Sequence, residues 1–319
     1  MSEKNRSNYS FSEIHDEMIN DEIRTLTYNK AILDNKNEFK DKIVVDVGAG
    51  TGILSLFAAQ AGAKKVYAIE CTEIANIAEK IIKDNNFENV ITIVRGRANE
   101  ITLPEKVDII ISEWMGYSLY YEVMLPAVLN IRDRYLKPDG KLLPSHANLY
   151  LNIVENPEFR YTKLNSWESI YDLNFASFKD FIISRPYIDY VDKSMVASQD
   201  SLISSINIHE CKEKDIFFES AFKFVSNKNV LMDGFSTWFD ALFLDCQNQI
   251  KLSTSPYTKE THWKSTIFYL KNPIELQTGD IIEGIIKFRP HEKEESALNV
   301  DITFMVNNKT YYSQSYEFL

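Results

Sequence analysis

The sequence predicts an α/β domain on a parallel sheet, followed by an all-β, barrel-like domain from which a helical arm projects. Three observations carry this. Between residues 43 and 154, short apolar runs alternate with helix-patterned segments. From about Ala147 the pattern changes to period-2 alternation, as in NVDITFMV, where Val300, Ile302, Phe304 and Val306 share a face. Residues 157–200 fit neither pattern and read as a helical excursion carrying Trp167, Tyr171, Phe175 and Phe178. The expected units are 1–40, 41–146 and 147–319, the last including the arm.

In chain order, KIVVDVG reads as a strand and ILSLFAAQAG as a helix. KVYAIE is a second strand, and Ile74, Ile77, Ala78, Ile81 and Ile82 mark one face of a second helix. Strands VITIV (90–94) and VDIII (107–111) continue the series, and the wholly apolar character of VDIII suits a strand covered on both faces. Lys137-Pro138-Asp139-Gly140 reads as a turn before KLLPSH. The segment NLYLNIV opens the period-2 region.

With 319 residues and 45% hydrophobic content, the chain can bury two ordinary cores. The polar start MSEKNRSNYS lacks the apolar centre of a signal peptide, and no run reaches the ~18 residues of a membrane span. A cytoplasmic or nuclear location is expected, with no membrane partner. Cys71, Cys211 and Cys246 are far apart and outside any Cys/His grouping, so no disulfide framework and no metal site is expected. A net charge of −11 disfavours direct nucleic-acid binding and suits a basic partner.

Two stretches carry chemistry. VVDVGAGTGIL places Gly48, Gly50 and Gly52 between a strand and a helix, where a tight turn lets backbone N–H groups approach a ligand. The dinucleotide fingerprint requires a glycine at 53, where Ile53 stands. Gly-x-Gly-x-Gly preceded by Asp46 is instead similar to the S-adenosylmethionine loop of class I methyltransferases, whose domain is Rossmann-like. Glu70, 20 residues beyond Gly50, ends the next strand and is placed to accept hydrogen bonds from ribose hydroxyls.

The second stretch is SEWMGYSLYYE, 112–122, at the carboxyl end of VDIII. Glu113 and Glu122 stand either as solvated surface carboxylates or as a fixed pair against an aromatic wall. A pair also suits glycoside hydrolysis, which leaves the glycine loop without a use. A guanidinium ligand accounts for both stretches, since its planar fork of five donors is matched by carboxylates on two sides.

SEWMGYSLYYE resembles the double-E loop of the protein arginine methyltransferases, and Thr261-His262-Trp263 resembles their THW loop. IHDEMINDEIRTLTY (14–28) is similar to the helix that folds over the cofactor, and FSTWFDALF (235–243) to a barrel segment. The likeness runs from about Tyr9 to the C-terminus and is nearest to the type I enzymes. It implies that Glu113 and Glu122 grip the guanidinium, with His262 as a proton relay held by Asp16 or another acid near the lid. It further implies that Gly48, Gly50 and Glu70 hold S-adenosylmethionine, that Arg24 binds its carboxylate, and that Tyr9, His15 and Met18 line the lid, formed by residues 1–40. Asn99 occupies the place of a glutamate that contacts the adenine amino group. The likeness also implies that Met124 and Trp263 border the substrate pocket, where the thioethers of Met18 and Met124 would select asymmetric dimethylarginine.

Three departures accompany the likeness. Asn5 and Arg6 replace the lid's first aromatic pair, Asn99 lacks the charge of the usual glutamate, and no glycine follows Tyr171 in WESIYDLNF (167–175). The implied partners are basic Arg/Gly-rich proteins, histone tails and a second copy of the chain. Two other readings stay open: a class I methyltransferase of another substrate class, and a catalytically silent partner subunit. Retention of Glu113, Glu122, Arg24 and Glu70 argues against the second.

Overall fold

The computed structural model describes residues 12–167, 169–294 and 296–319. Helices α1 (Ser12–Asn20), α2 (Glu22–Leu33) and α3 (Lys36–Phe39) lead into a five-stranded parallel sheet. Its strands are β1 (Ile43–Val47), β2 (Lys65–Glu70), β3 (Ile91–Arg95), β4 (Val107–Ile111) and β5 (Leu136–Leu143), in the order β3-β2-β1-β4-β5. Three helices cross between strands: α4 (Ile53–Gln60), α5 (Ala75–Asp84) and α6 (Leu125–Tyr135). The order reverses between β1 and β4, which pair directly, with Val45 opposite Ile110. Loops that begin at Gly48 and Ser112 therefore leave the sheet side by side, in the crevice where open α/β sheets bind ligands.

Two local expectations are corrected. On α5, Ile74, Ala78 and Ile82 are buried, whereas Ile77 is 44% exposed. Residues i, i+4 and i+8 make a narrow stripe, and Ile77 lies about 100° from its centre at ~100° per residue. Residues 137–140 do not end a strand. They bulge within β5, where Leu136 and Lys141 face Val107 and Ile109 of β4.

Beyond β5, β6 (His146–Val154) opens the second domain. Helical turns follow at α7 (Pro157–Phe159), Arg160–Leu164 and Asn165–Trp167, then α8 (Ala176–Ile183). This arm is shorter than expected, because β7 (Tyr187–Asp189) already pairs with the barrel sheet. Its aromatics reach the surface to differing degrees: Tyr171 is 94% and Phe181 50% exposed, Phe178 and Phe175 are exposed less, and Trp167 is half-buried.

The remaining strands are β8 (Ser201–Asn207), β9 (Glu219–Val225), β10 (Val230–Phe243), β11 (Ile250–Ser253), β12 (Ser265–Leu276), β13 (Ile281–Pro290), β14 (Leu298–Val306) and β15 (Thr310–Phe318). They form one antiparallel sheet ordered β7-β12-β10-β6-β8, with β11 on β10, and another ordered β15-β14-β13-β9. Edge-to-face rings join the two, as between Phe235 on β10 and Phe304 on β14, 5.1 Å apart.

The base of the arm is fixed by a buried ion pair. Arg160, 7% exposed, donates to the carboxylate of Asp233, which has no exposed surface, and to the Leu270 carbonyl at 2.9 Å. Asp233 also accepts the Asn156 amide at 2.6 Å. Arg160→Met leaves that carboxylate without its counter-charge and is expected to cost about 3–5 kcal/mol. Urea unfolding checks this: the midpoint should fall at constant m, and Asp233→Leu in the same chain should recover much of the loss.

Candidate active site

The glycine loop takes the shape that its residues permit. Gly48, Gly50 and Gly52 have φ of 77°, 55° and 85°, in the left-handed region that side chains disfavour. Space is short as well. A Cβ on Gly48 would sit 3.1 Å from Met124 Cε, and one on Gly50 would sit 3.3 Å from His15 Cε1. The lid helix α1 and the start of α6 thus close directly over the loop.

Glu70, at the end of β2, is built into the same turn. Its Oε2 accepts the Gly50 N–H at 2.9 Å, and its Oε1 accepts those of Cys71 and Thr72 at 2.8 Å. The carboxylate keeps further lone pairs for a vicinal diol. Asp46 differs from its expected role. It has no exposed surface and does not line the cavity; Oδ2 accepts from Ser55 on α4 at 2.7 Å. Burial pushes its carboxyl up to about 7, against that hydrogen bond. Asp46 therefore ties the helix to the strand beneath the loop.

The double-E loop leaves β4 beside the glycine loop. Glu113, 9% exposed at its side chain, accepts from Arg24 Nε at 3.0 Å and Nη2 at 2.9 Å, both on Oε2. Arg24 Nη1 donates to the Met18 carbonyl at 3.3 Å. The residue implied to hold the cofactor's carboxylate is thus also the partner of Glu113, the glutamate implied to grip the guanidinium. Tyr28, wholly buried on α2, donates to the Ser112 carbonyl at 2.9 Å and fixes the loop's start.

Between the glutamates the chain reverses. Ser118, Leu119, Glu122 and Val123 have φ of 50°, 68°, 77° and 51°. Gly116 is required there, because a Cβ would lie 1.6 Å from the Tyr121 carbonyl oxygen. The barrel supplies the restraints: Ser118 Oγ to Thr237 Oγ1 and Tyr120 OH to Ser204 Oγ, both 2.8 Å, and Trp263 Nε1 to the Met115 carbonyl at 2.8 Å.

His262 is held by Asp21, not Asp16. Asp21 Oδ2 lies 2.7 Å from His262 Nδ1 and accepts the His262 backbone N–H at 2.8 Å, while Asp21 Oδ1 caps α2 by accepting the Arg24 N–H at 3.0 Å. Asp16 instead accepts from Asn20. Burial alone would raise the Asp21 carboxyl, but the bonds from His262 and the Arg24 amide hold it below the usual carboxylate range. A carboxylate facing Nδ1 favours the neutral tautomer with its proton there, which leaves Nε2 as the ring's acceptor. The N-cap role of Asp21 was readable in DEIRTL; its contact with a residue 241 positions away was not.

One cavity of about 790 Å³ joins these parts. Among its walls are His15, Met18, Arg24, Gly48, Gly50, Glu70 and Asn99 on one side, and Glu113, Glu122, Met124, His262 and Trp263 on the other. Tyr9 lies outside the described residues. Among the described residues, no group of three or more His, Cys, Asp or Glu is placed to hold a metal.

A glycine loop at the sheet's switch point, with an acidic residue ending the neighbouring strand, defines a class I methyltransferase domain. Residues 29–141 match the model of the ribosomal protein L11 methyltransferase family, and residues 145–309 match that of the arginine methyltransferase oligomerization subdomain. Protein arginine N-methyltransferase 1 of Schizosaccharomyces pombe is 42% identical over 94% of this chain and 88% of its own. Protein arginine N-methyltransferase 8-B of Danio rerio is 43% identical over 94% and 72%. Among solved structures, the Trypanosoma brucei PRMT1 enzyme-prozyme heterotetrameric complex with AdoHcy superposes with a TM-score of 0.95 at 37% identity, covering 98% of this chain and 100% of that one. The chain belongs to the protein arginine methyltransferase family. It is an S-adenosylmethionine-dependent enzyme and carries the family's oligomerisation subdomain.

The pH dependence of stability tests the placement of Asp46. A carboxyl raised to about 7 in the folded protein and near its ordinary value when unfolded stabilises below about 4 and loses that contribution as pH rises through 7. Asp46→Asn is therefore expected to gain on the wild type between pH 4 and 7, by a few kcal/mol at most. Parallel melting curves for the two proteins across that window would contradict the assignment.

Proposed function

We propose that this enzyme methylates arginine in basic Arg/Gly-rich proteins and histone tails, forming mono- and then asymmetric dimethylarginine. It acts as a homodimer in the cytoplasm or nucleus, without direct nucleic-acid or membrane contact. The observation that carries the reading is that Glu113 and Glu122 line the same cavity as the glycine loop and Glu70. The exposed aromatics of the arm support the dimer, since large apolar patches are seldom left in water.

S-adenosylmethionine, when bound, supplies an electrophilic methyl on a sulfonium. Gly48, Gly50, Glu70, Asn99, His15 and Met18 would hold it, and Arg24 would meet its carboxylate. The substrate guanidinium is itself cationic at physiological pH, and two like charges ~4 Å apart repel by about 4 kcal/mol at an effective dielectric near 20. Glu113 and Glu122 offset this repulsion. They also hold one terminal nitrogen still and polarise it, so the rate comes from placement and electrostatics. His262, oriented by Asp21 and accepting at Nε2, takes the proton that the methylated nitrogen releases. Met18 and Met124 leave room for a first methyl while restricting the rotated pose that would present the opposite nitrogen.

Replacing Glu122 by Gln preserves shape and removes charge, so turnover on an arginine peptide should fall by about 100-fold or more, with S-adenosylhomocysteine affinity nearly unchanged. Glu113→Gln should lose turnover equally. Because Glu113 also anchors Arg24, its cofactor affinity should shift more than that of Glu122→Gln. Wild-type turnover in either variant would exclude the two-carboxylate clamp. Hydrolysis and chromatography of the methylated peptide identify the product: asymmetric dimethylarginine is expected, and symmetric dimethylarginine as the main product would refute the proposed specificity.

A further inference from the structure

The backbone that presents the second glutamate is strained, with Glu122 at φ 77° and Val123 at 51°, and such residues persist only where neighbours hold them. Two of those neighbours come from one corner of the barrel. The Ser296 carbonyl, just ahead of β14, accepts the Glu122 N–H at 3.1 Å. Phe318, at the end of β15, lays its ring on Tyr121 with centroids 4.3 Å apart and planes 9° from parallel. Phe318 stands opposite Leu298 in the β14–β15 ladder, so both contacts arise at the same end of one strand pair. The stack continues from Tyr121 to Tyr117, 6.2 Å away, and Tyr117 lines the cavity. Phe318 does not; it is 5% exposed and packed in the core.

We propose that Phe318 is a positioning residue for methyl transfer: stacked on Tyr121, it fixes the backbone that presents Glu122 to the guanidinium. The last strand of the barrel thereby governs turnover without touching either reactant. This inference rests on the reading of Glu122 as a guanidinium ligand. The flat stack is what gives it content, because a near-parallel pair at 4.3 Å restrains ring tilt, and Tyr121 is the residue immediately before Glu122. A displacement of about 1 Å at a positioned group can cost on the order of 100-fold in rate.

The experiment compares the full-length wild type with Phe318→Leu, Phe318→Tyr, Tyr121→Leu and the double leucine variant. Turnover is measured on an arginine peptide, S-adenosylhomocysteine binding by calorimetry, and hydrogen exchange across residues 116–124 by mass spectrometry. Phe318→Leu is expected to lower kcat by about tenfold or more while S-adenosylhomocysteine binds within about twofold of wild type. Phe318→Tyr should restore the rate, and the double variant should be no slower than the slower single one. Exchange across 116–124 should quicken in Phe318→Leu. A folded Phe318→Leu enzyme with wild-type kcat would overturn the proposal, reducing the stack to ordinary packing. A wild type that transfers no methyl would defeat the functional reading instead. Exchange then still decides the positioning role, which unchanged protection of 116–124 in Phe318→Leu would refute.

Discussion

Two carboxylates nine positions apart on one loop can serve a single guanidinium only if the chain between them turns back on itself. Here that reversal requires four non-glycine residues in the left-handed region: Ser118, Leu119, Glu122 and Val123. Each such residue costs about 1–3 kcal/mol when it stands alone. The first domain does not hold this shape unaided. Thr237, Ser204, Trp263 and Ser296, all from the barrel, bond to side chains or backbone within the loop. The barrel is therefore part of what presents Glu122, and residues of both domains line the one cavity.

Electrostatics ties the lid to the same centre. Asp21 caps the helix that carries Arg24 and, with its other oxygen, orients His262. Arg24 in turn grips Glu113. Lid helix, double-E loop and barrel thus share a short chain of charged groups, most of them shielded from water and strong for that reason. With the proposed roles, a change at any link of this chain would reach both reactants, so cofactor affinity and turnover should separate cleanly at Glu122 and less so at Glu113.

The parts of this arrangement that are local were legible in the sequence. Glycine spacing and a following acidic residue located the cofactor turn, and alternation located the barrel strands. Glu113 and Glu122 stand out because Trp114, Tyr117, Tyr120 and Tyr121 lie between them. Features that depend on long-range geometry were not legible. Asp46 sits in a cofactor motif yet faces Ser55 beneath the loop, since alternation along β1 points it away from the crevice lining. Asp21 and His262 meet across 241 positions, and the sequence points to Asp16, five residues nearer the start, or another acid near the lid. The bulge at residues 137–140 reads as a turn because its residues are turn formers; pairing to β4 absorbs them into the strand.

Where the guanidinium sits decides the roles of Glu113 and Glu122. A crystal structure of the protein with S-adenosylhomocysteine and an arginine peptide measures this most directly. One guanidinium is expected within hydrogen-bonding distance of both Glu113 and Glu122, with the nucleoside against Glu70 and the glycine loop. A guanidinium bound away from either glutamate, in a structure where the cofactor product is in place, would contradict it.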